Sequence, residues 1–510
     1  HDAGCLGAAV PKEVWKRRLM KLKEIGCNAI RMSHNPQATC VYELCDEIGL
    51  LVKDEAFDEW EYPKKKWISG WNKGTPGFQG SANYFREWCK KDLADMVRRD
   101  RNHPSVIMWS IGNEVPTQCS PEGYKVASFL QDICHREDPT RPVTCGMDQV
   151  TCVLANGFAA MIDVPGLNYR AHRYVESYET LPQNIVLGSE TASTVSSRGV
   201  YKFPVQKGAS VMYDDHQCSG YDVECCSWSN LPDEDFALAD DYDWTIGQFV
   251  WTGFDYLGEP SPYSTDSWPS HSSVFGIIDL ASLPKDRFYL YRSLWNKQAN
   301  TLHVLPHWTW PGREGENTPV FVYTSYPSAE LFVNGKSYGK QRKLTADESR
   351  ALEGQDSLAL QRRYRLMWMD TKYEPGTLKV VAYDKEGNAV AEEEVHTAGK
   401  PHHIELSADR NQLTADGKDL SFINVRVVDK NGNLCPDATH KVKFNVRGSG
   451  SYRAAANGDP SSLESFQAPQ MSLFKGQLTA VVQTEETPGV IVFEASAPGV
   501  KSAKIELISE

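Results

Sequence analysis

Two apolar runs in this 510-residue sequence stop abruptly at a glutamate. In SVIMWSIGNE, Ser105–Glu114, the residues Val106, Ile107, Met108 and Trp109 have the pattern of a strand buried on both faces. The run turns polar at Gly112-Asn113-Glu114. The second run, Val186-Leu187-Gly188-Ser189-Glu190-Thr191, ends at Glu190, and another strand end holds Arg31 and His34. A carboxyl held over a packed core is partly desolvated, which raises its pKa and lets it deliver a proton. Glu114 and Glu190 are separated by two to three βα units of roughly 30 residues, so both can reach one mouth of a barrel. Two carboxyls facing each other there suit glycosidic cleavage. One protonates the leaving oxygen, and the other attacks or activates water. Spacing alone leaves other uses of acidic strand ends open, metal binding among them.

Up to about residue 298, short apolar strands alternate with amphipathic helices, the pattern of a parallel α/β fold. Helices are expected at 14–25, 42–48 (stopped by Gly49), 84–99, 121–136 and 286–296. The inner face of the third is read as Phe85, Trp88, Leu93, Met96 and Val97. Strands are expected at 28–33, 50–55, 105–114, 143–146, 164–169, 185–190 and 246–254. Eight strands close a (β/α)8 TIM-type barrel, so the first strand is expected to be missing. After about residue 300, short alternating strands are separated by turn signals such as Asn334-Gly335 and Asn431-Gly432. This implies an α/β barrel at 1–300 followed by two immunoglobulin-like β-sandwiches, 301–399 and 400–510. The sandwiches contain no cluster of catalytic residue types and read as ancillary.

The net charge of −13 argues against a nucleic-acid partner, because phosphate binding needs a basic face. No apolar run approaches the ~20 residues needed to span a bilayer. Twelve of the 13 cysteines lie before residue 227 in no C-x-x-C framework, and they read as mostly free core thiols. The residues that open the sequence at His1-Asp2 do not have the pattern of a signal peptide, and the abrupt opening gives that little weight.

The segments RMSHNP (31–36), YELCDEIGLLVKDEAFDEW (42–60), MVRRDRNHPSVIMWSIGNE (96–114), GSETAST (188–194) and FVWTGFDYLGEP (249–260) resemble glycoside hydrolase family 2, the β-galactosidase family. HWTWPGREG (307–315) and SAELFVNGKSYG (328–339) resemble the β-sandwich that follows the barrel in multidomain bacterial members. The last domain is similar to their further immunoglobulin-like module. The resemblance implies a retaining exo-β-glycosidase acting on terminal β-galactosides. Glu114 is then the acid/base, Glu190 the nucleophile, and Asn113 the partner of the sugar 2-hydroxyl. It also implies that Tyr169 orients the nucleophile, that Arg31 sits beside it, and that His34 and Trp251 contact sugar.

The substrate implied is a β-linked oligosaccharide or glycoside, and a homo-oligomer is open. Relatives are commonly exported, which implies a periplasmic or secreted protein. No cofactor and no metal are expected. Magnesium-binding members place Glu and His after Asp-Glu-Ala, whereas here Glu59 and Glu61 follow Asp54-Glu55-Ala56. Glucuronide-cleaving members carry Asn-x-Lys where this chain has Ser273-Val274-Phe275, so β-glucuronides and β-mannosides rank behind galactosides. The resemblance further implies upstream sugar-binding and immunoglobulin-like domains. The alternative is a silent fragment whose sandwiches bind glycan or a partner.

Overall fold

An apolar strand followed by a helix with one apolar stripe is the unit repeated through the first half of the chain. The computed structural model, which describes residues 2–65, 80–209, 211–263 and 267–510, shows what those units build. The described chain forms two compact units. One comprises Trp15–Thr194 with Cys226–Trp251; the other comprises His1–Val14, Val195–Cys225 and Thr252–Glu510.

In the first of these, the strands Ala29–Arg31, Leu51–Glu55, Val106–Asn113, Val143–Met147, Val164–Asn168, Val186–Thr191 and Thr245–Val250 pair in parallel, in chain order. They form a nearly closed TIM-type barrel. Seven is the number expected from the sequence, and among the described residues no eighth strand joins this sheet. Val143–Met147, Val164–Asn168 and Val186–Thr191 are buried at every position, as parallel strands under helices must be. Trp109, Ile111, Val143, Cys145 and Leu167 share one core. Each fully buried aliphatic side chain of that core contributes roughly 1.5–3 kcal/mol.

The helix Thr39–Ile48 ends at Gly49, whose φ of 79° lets its N–H bond back to the Cys45 carbonyl. In the helix Ala82–Asp100, Phe85, Cys89, Leu93, Met96 and Val97 are buried. Trp88 is 40 % exposed, which corrects the face read from sequence. Positions 85, 89, 93 and 96 follow the helical period. Position 88 falls outside that stripe, where Lys91 Nζ lies 4.8 Å from the Trp88 ring.

Eleven cysteines are in no disulfide, in line with the reading of most as thiols, and eight of these are buried. The exception is a disulfide between Cys119 and Cys152, with Cα atoms 5.0 Å apart. It joins the segments that follow the third and fourth barrel strands. Nothing in the sequence spacing distinguishes this pair, because only the barrel brings those segments side by side.

The other unit is built mainly from antiparallel sheets. A three-stranded sheet (Leu302–Leu305, Val320–Thr324, Leu366–Trp368) and a four-stranded one (Ser328–Val333, Lys336–Arg342, Thr377–Tyr383, Ala389–His396) enclose Trp308, Val322, Leu331 and Val380. Asn334 and Gly335 have φ of 48° and 79° and link Val333 to its partner Lys336, the two-residue hairpin their types foretell. Sheets of four and five strands between His403 and Ser509 share a second core that includes Ile423, Val442, Leu478 and Phe493. The first residues of the chain pack here too. Ala3, Leu6, Val10 and Val14 lie against Leu420, Phe422 and Val481. No described helix is long and apolar enough to cross a membrane.

Candidate active site

Within the barrel unit, the ends of strands one, two, three, five and six carry polar side chains into a single hydrogen-bonded network. At its centre is Arg31, all but buried at the end of the first strand. Its Nε and Nη2 donate to Glu55 Oε2 and Oε1 at 2.8 and 2.9 Å, a bidentate pair. Its Nη1 donates to Glu190 Oε1 at 2.6 Å and to the Ser189 carbonyl at 3.1 Å. Nη2 also donates to Asn113 Oδ1 at 2.7 Å. One guanidinium therefore fixes three side chains from three other strands. Burial opposes its charge, but Glu55 and Glu190 raise its pKa further.

Glu55 is fully buried and also accepts from Ser110 Oγ at 2.6 Å. Burial alone would raise its pKa, yet Arg31, His34 and Lys53 together hold it well below the usual carboxylate range. His34 Nδ1 lies 2.7 Å from Glu55 Oε1, and Nε2 lies 3.7 Å from Glu190 Oε1. The His34 ring stacks on Trp251, with centroids 5.2 Å apart and planes within 2°. One face of Trp251 is thus occupied by His34, and the residue as a whole is 8 % exposed.

The third strand delivers Asn113 and Glu114. The Asn113 amide donates to the Phe57 carbonyl and the Glu114 amide to the Gly146 carbonyl, so both neighbouring strand ends hold this terminus. Glu114 has φ of 47°, a left-handed conformation costing a non-glycine residue roughly 1–3 kcal/mol, of the kind that collects at functional sites. Asn168 Nδ2 donates to Asn113 Oδ1 at 2.9 Å and to Glu114 Oε1 at 3.0 Å. Gly146 makes room for this junction. A Cβ there would lie 2.9 Å from Asn168 Oδ1 and 3.0 Å from Asn113 Oδ1.

The two glutamates occupy different electrostatic surroundings. Glu190 is tied to a guanidinium. Glu114 is pushed up to about 7, chiefly by burial, then by the charges of Glu190 and Asp148. Asp148 is set by Gln118, whose Nε2 donates to Asp148 Oδ1 at 2.8 Å and whose Oε1 accepts from the Asp148 amide at 3.2 Å. The adjacent Cys119–Cys152 disulfide ties the same two segments together. On the other side Lys64 Nζ, which lowers Glu114 somewhat, is 2.5 Å from Asp58 Oδ1, and Asp58 accepts from Asn113 Nδ2 at 3.2 Å.

Of the residues singled out from sequence, Arg31, His34, Asn113, Glu114 and Glu190 enter this network directly. Trp251 enters through its stack on His34. The Tyr169 hydroxyl is 2.8 Å from Ser193 Oγ, while its backbone amide donates to the Glu190 carbonyl at 2.7 Å. Tyr169 therefore meets the Glu190 backbone, with the hydroxyl directed to Ser193. Glu55, Asn168 and Asp148 were not singled out. A signal for Glu55 existed in the alternation of Leu51–Glu55. Lys53 and Glu55 point one way, and Asp54 points the other, to accept from Tyr42 Oη at 2.7 Å. Asn168 and Asp148 are single polar residues after apolar strands, with nothing in sequence to pair them with Glu114.

Glu59, at the magnesium position of metal-binding members, accepts backbone amides from Lys64 at 2.8 Å and Ser81 at 3.0 Å. Among the described residues no group of three His, Cys, Asp or Glu gathers as a metal site. With Glu at 61 and Glu59 engaged by backbone, this donor set does not match that site, and no step below passes through a metal.

Comparison with known proteins places this geometry in context. Residues 1–264 match the model for the TIM barrel domain of glycosyl hydrolases family 2. Residues 315–391 match a domain of unknown function, DUF4982, and residues 404–506 match glycoside hydrolase family 2 C-terminal domain 5. The β-galactosidase BoGH2A of Bacteroides ovatus is 39 % identical over 554 residues, covering 100 % of this chain and 60 % of that protein. A β-glucuronidase of Bacteroides fragilis is 27 % identical over 358 residues, covering 67 % of this chain and 47 % of that protein. Among solved structures, a β-glycosidase from Bacteroides vulgatus superposes with a TM-score of 0.82 at 30 % identity, covering 100 % of this chain and 63 % of that one. This chain thus spans about half to three fifths of the length of these proteins.

Proposed function

The chain belongs to glycoside hydrolase family 2, and on that footing we propose that it is the catalytic part of a retaining exo-β-glycosidase acting on terminal β-galactosides. The observation that carries the reading is the unequal pair: Glu190 on Arg31 at 2.6 Å, Glu114 raised to about 7. In the first step a Glu190 carboxylate oxygen attacks the anomeric carbon. The bond to the aglycone breaks, and the Glu114 proton passes to the leaving oxygen. In the second, the Glu114 carboxylate takes a proton from water as that water attacks the same carbon, and the ester to Glu190 is released. Asn113, held by Arg31 and Asn168, is placed to bond the 2-hydroxyl as charge develops on the ring. Within this reading, residues 1–300 form the catalytic region, and 301–399 and 400–510 are two ancillary sandwiches.

Two observations support a neutral sugar. The stretch Ser273-Val274-Phe275 supplies neither the amide nor the cation of the glucuronide-reading motif. Lys64, the lysine that acts on both glutamates, is already paired with Asp58. A substrate carboxylate buried without its own cation would lose several kcal/mol, on the order of a thousandfold in kcat/KM. Aryl β-galactoside, β-glucuronide and β-mannoside should be compared in protein extended upstream to the length of its relatives. The galactoside is expected to lead, with the glucuronide roughly a thousandfold behind. Preference for the glucuronide would overturn the sugar assignment.

The pH profile tests the acid. Glu114 works protonated in the first step, so kcat/KM on a poor leaving group should fall as pH rises through about 7. Asp148→Asn removes a like charge while keeping an acceptor for Gln118. The Glu114 proton is then held less tightly, and the alkaline limb should move to lower pH by a few tenths of a unit. An unmoved limb would show that Asp148 does not tune Glu114.

A further inference from the structure

The reaction just described gives no task to some of the buried charged groups, and one of these lies beside the proposed nucleophile. Lys53, on the second strand, is fully buried in the barrel interior and pairs in register with Arg31 of the first strand. Its Nζ lies 2.5 Å from Ser189 Oγ and 3.4 Å from the Ser189 carbonyl, and 4.6 Å from the centroid of the Phe249 ring. Among the described residues it makes no direct ion pair. A lysine with no carboxylate in contact is costly to bury, and an apolar side chain of similar length would suit a packed barrel better.

We propose that Lys53 is a positioning residue for the nucleophile, gripping Ser189 from the barrel interior so that Glu190 is held at its attacking position. This rests on the assignment of Glu190 as nucleophile. The grip is specific to one residue, because both close polar contacts of Nζ go to Ser189. That same Ser189 carbonyl accepts Arg31 Nη1 at 3.1 Å. Two basic side chains on adjacent strands therefore converge on the peptide that precedes Glu190, one of them also holding the carboxylate itself. The charged and titratable groups around Lys53 are Arg31 on the first strand, Glu55 on its own strand, Cys145 on the fourth and Glu190 on the sixth. Burial and Arg31 push the ammonium well down from its usual range, while Glu55 and Glu190 favour its charge. A displacement of about 1 Å at an attacking group can cost ~10²-fold in rate, so a residue that touches no substrate can still govern the first step.

The test uses 2-deoxy-2-fluoro-β-galactosyl fluoride, which arrests the reaction at the covalent stage, with labelling of Glu190 followed by mass spectrometry in the upstream-extended protein. Lys53→Met is expected to be labelled at least tenfold more slowly than wild type, with the probe's apparent dissociation constant little changed. Ser189→Ala should slow labelling similarly, and the double variant should be no slower than either, because the two side chains act as one unit. Equal labelling rates in Lys53→Met and wild type, a loss that lies in the probe's dissociation constant instead of the rate, or losses that multiply in the double variant, would overturn the inference. If Lys53→Met does not fold, Ser189→Ala decides: wild-type labelling there overturns it. A wild type that is not labelled at Glu190 would instead bring down the nucleophile assignment, and this inference with it.

Discussion

With Glu190 as the proposed nucleophile, Glu190→Gly should lower turnover of an aryl β-galactoside by roughly 10⁴-fold or more, to the level that binding and the remaining acid sustain. The loss is expected in kcat, because Arg31, Asn113 and His34 keep their other partners. Arg31 retains its bidentate pair with Glu55 and its contact with Asn113 when Glu190 is absent. Added azide or formate should restore turnover by occupying the vacated space. It attacks the anomeric carbon once, so the product has inverted configuration. Wild-type protein should give retained configuration, followed by NMR of the product as it forms. An inverted product from the wild type would exclude the covalent route. Failure of azide to rescue, with the variant folded, would place the nucleophile elsewhere.

The second large effect separates the two glutamates. Glu114→Ala should lower kcat/KM by about 10²–10⁴-fold on glycosides with poor leaving groups, which need a proton as the bond breaks. Dinitrophenyl glycosides need none, and their first step should be nearly spared, so covalent enzyme accumulates and a burst appears. The fall in activity above about pH 7 should vanish in this variant, because the group responsible for it is gone. If Glu114→Ala and Glu190→Gly lose activity equally on every leaving group, the two roles are not divided as assigned. The spread between leaving groups is the informative quantity, since a variant that merely unfolds loses all of them alike.

The network explains why these effects are so unequal in origin. In the proposed role Glu190 is useful ionised, and it lies on a guanidinium that is itself locked by Glu55. In the proposed role Glu114 is useful protonated, and it lies near two like charges with one amide donor, Asn168. Both carboxyls end parallel strands of one barrel, so their difference arises from neighbours rather than from strand position. Asp148 and Lys64 act on Glu114 with opposite signs, and each is itself held by a partner, Gln118 and Asp58. Such supported charges shift a pKa without moving during the reaction.

Much of this was legible from residue order alone. Short apolar runs alternating with amphipathic helices marked all seven barrel strands, and the two-residue signal Asn334-Gly335 marked a hairpin, because period and turn chemistry are local properties. The strand ends at Arg31, Asn113-Glu114 and Glu190 were legible for the same reason. What only the tertiary structure decided was which of those ends meet, and through what. Glu55, Asn168, Asp148 and Lys53 matter through contacts across strands distant in sequence, and one polar residue after an apolar run announces no partner. The Cys119–Cys152 disulfide was hidden likewise, since its halves follow different strands. The direction of the Tyr169 hydroxyl toward Ser193 depends on backbone geometry at φ 57°, which no residue pattern specifies. Sequence alone determined the kinds of groups brought to the barrel mouth, because type and period reside in the chain. The fold decided their pairing and their charge states, because hydrogen bonds and desolvation arise only where strands far apart in sequence are packed together.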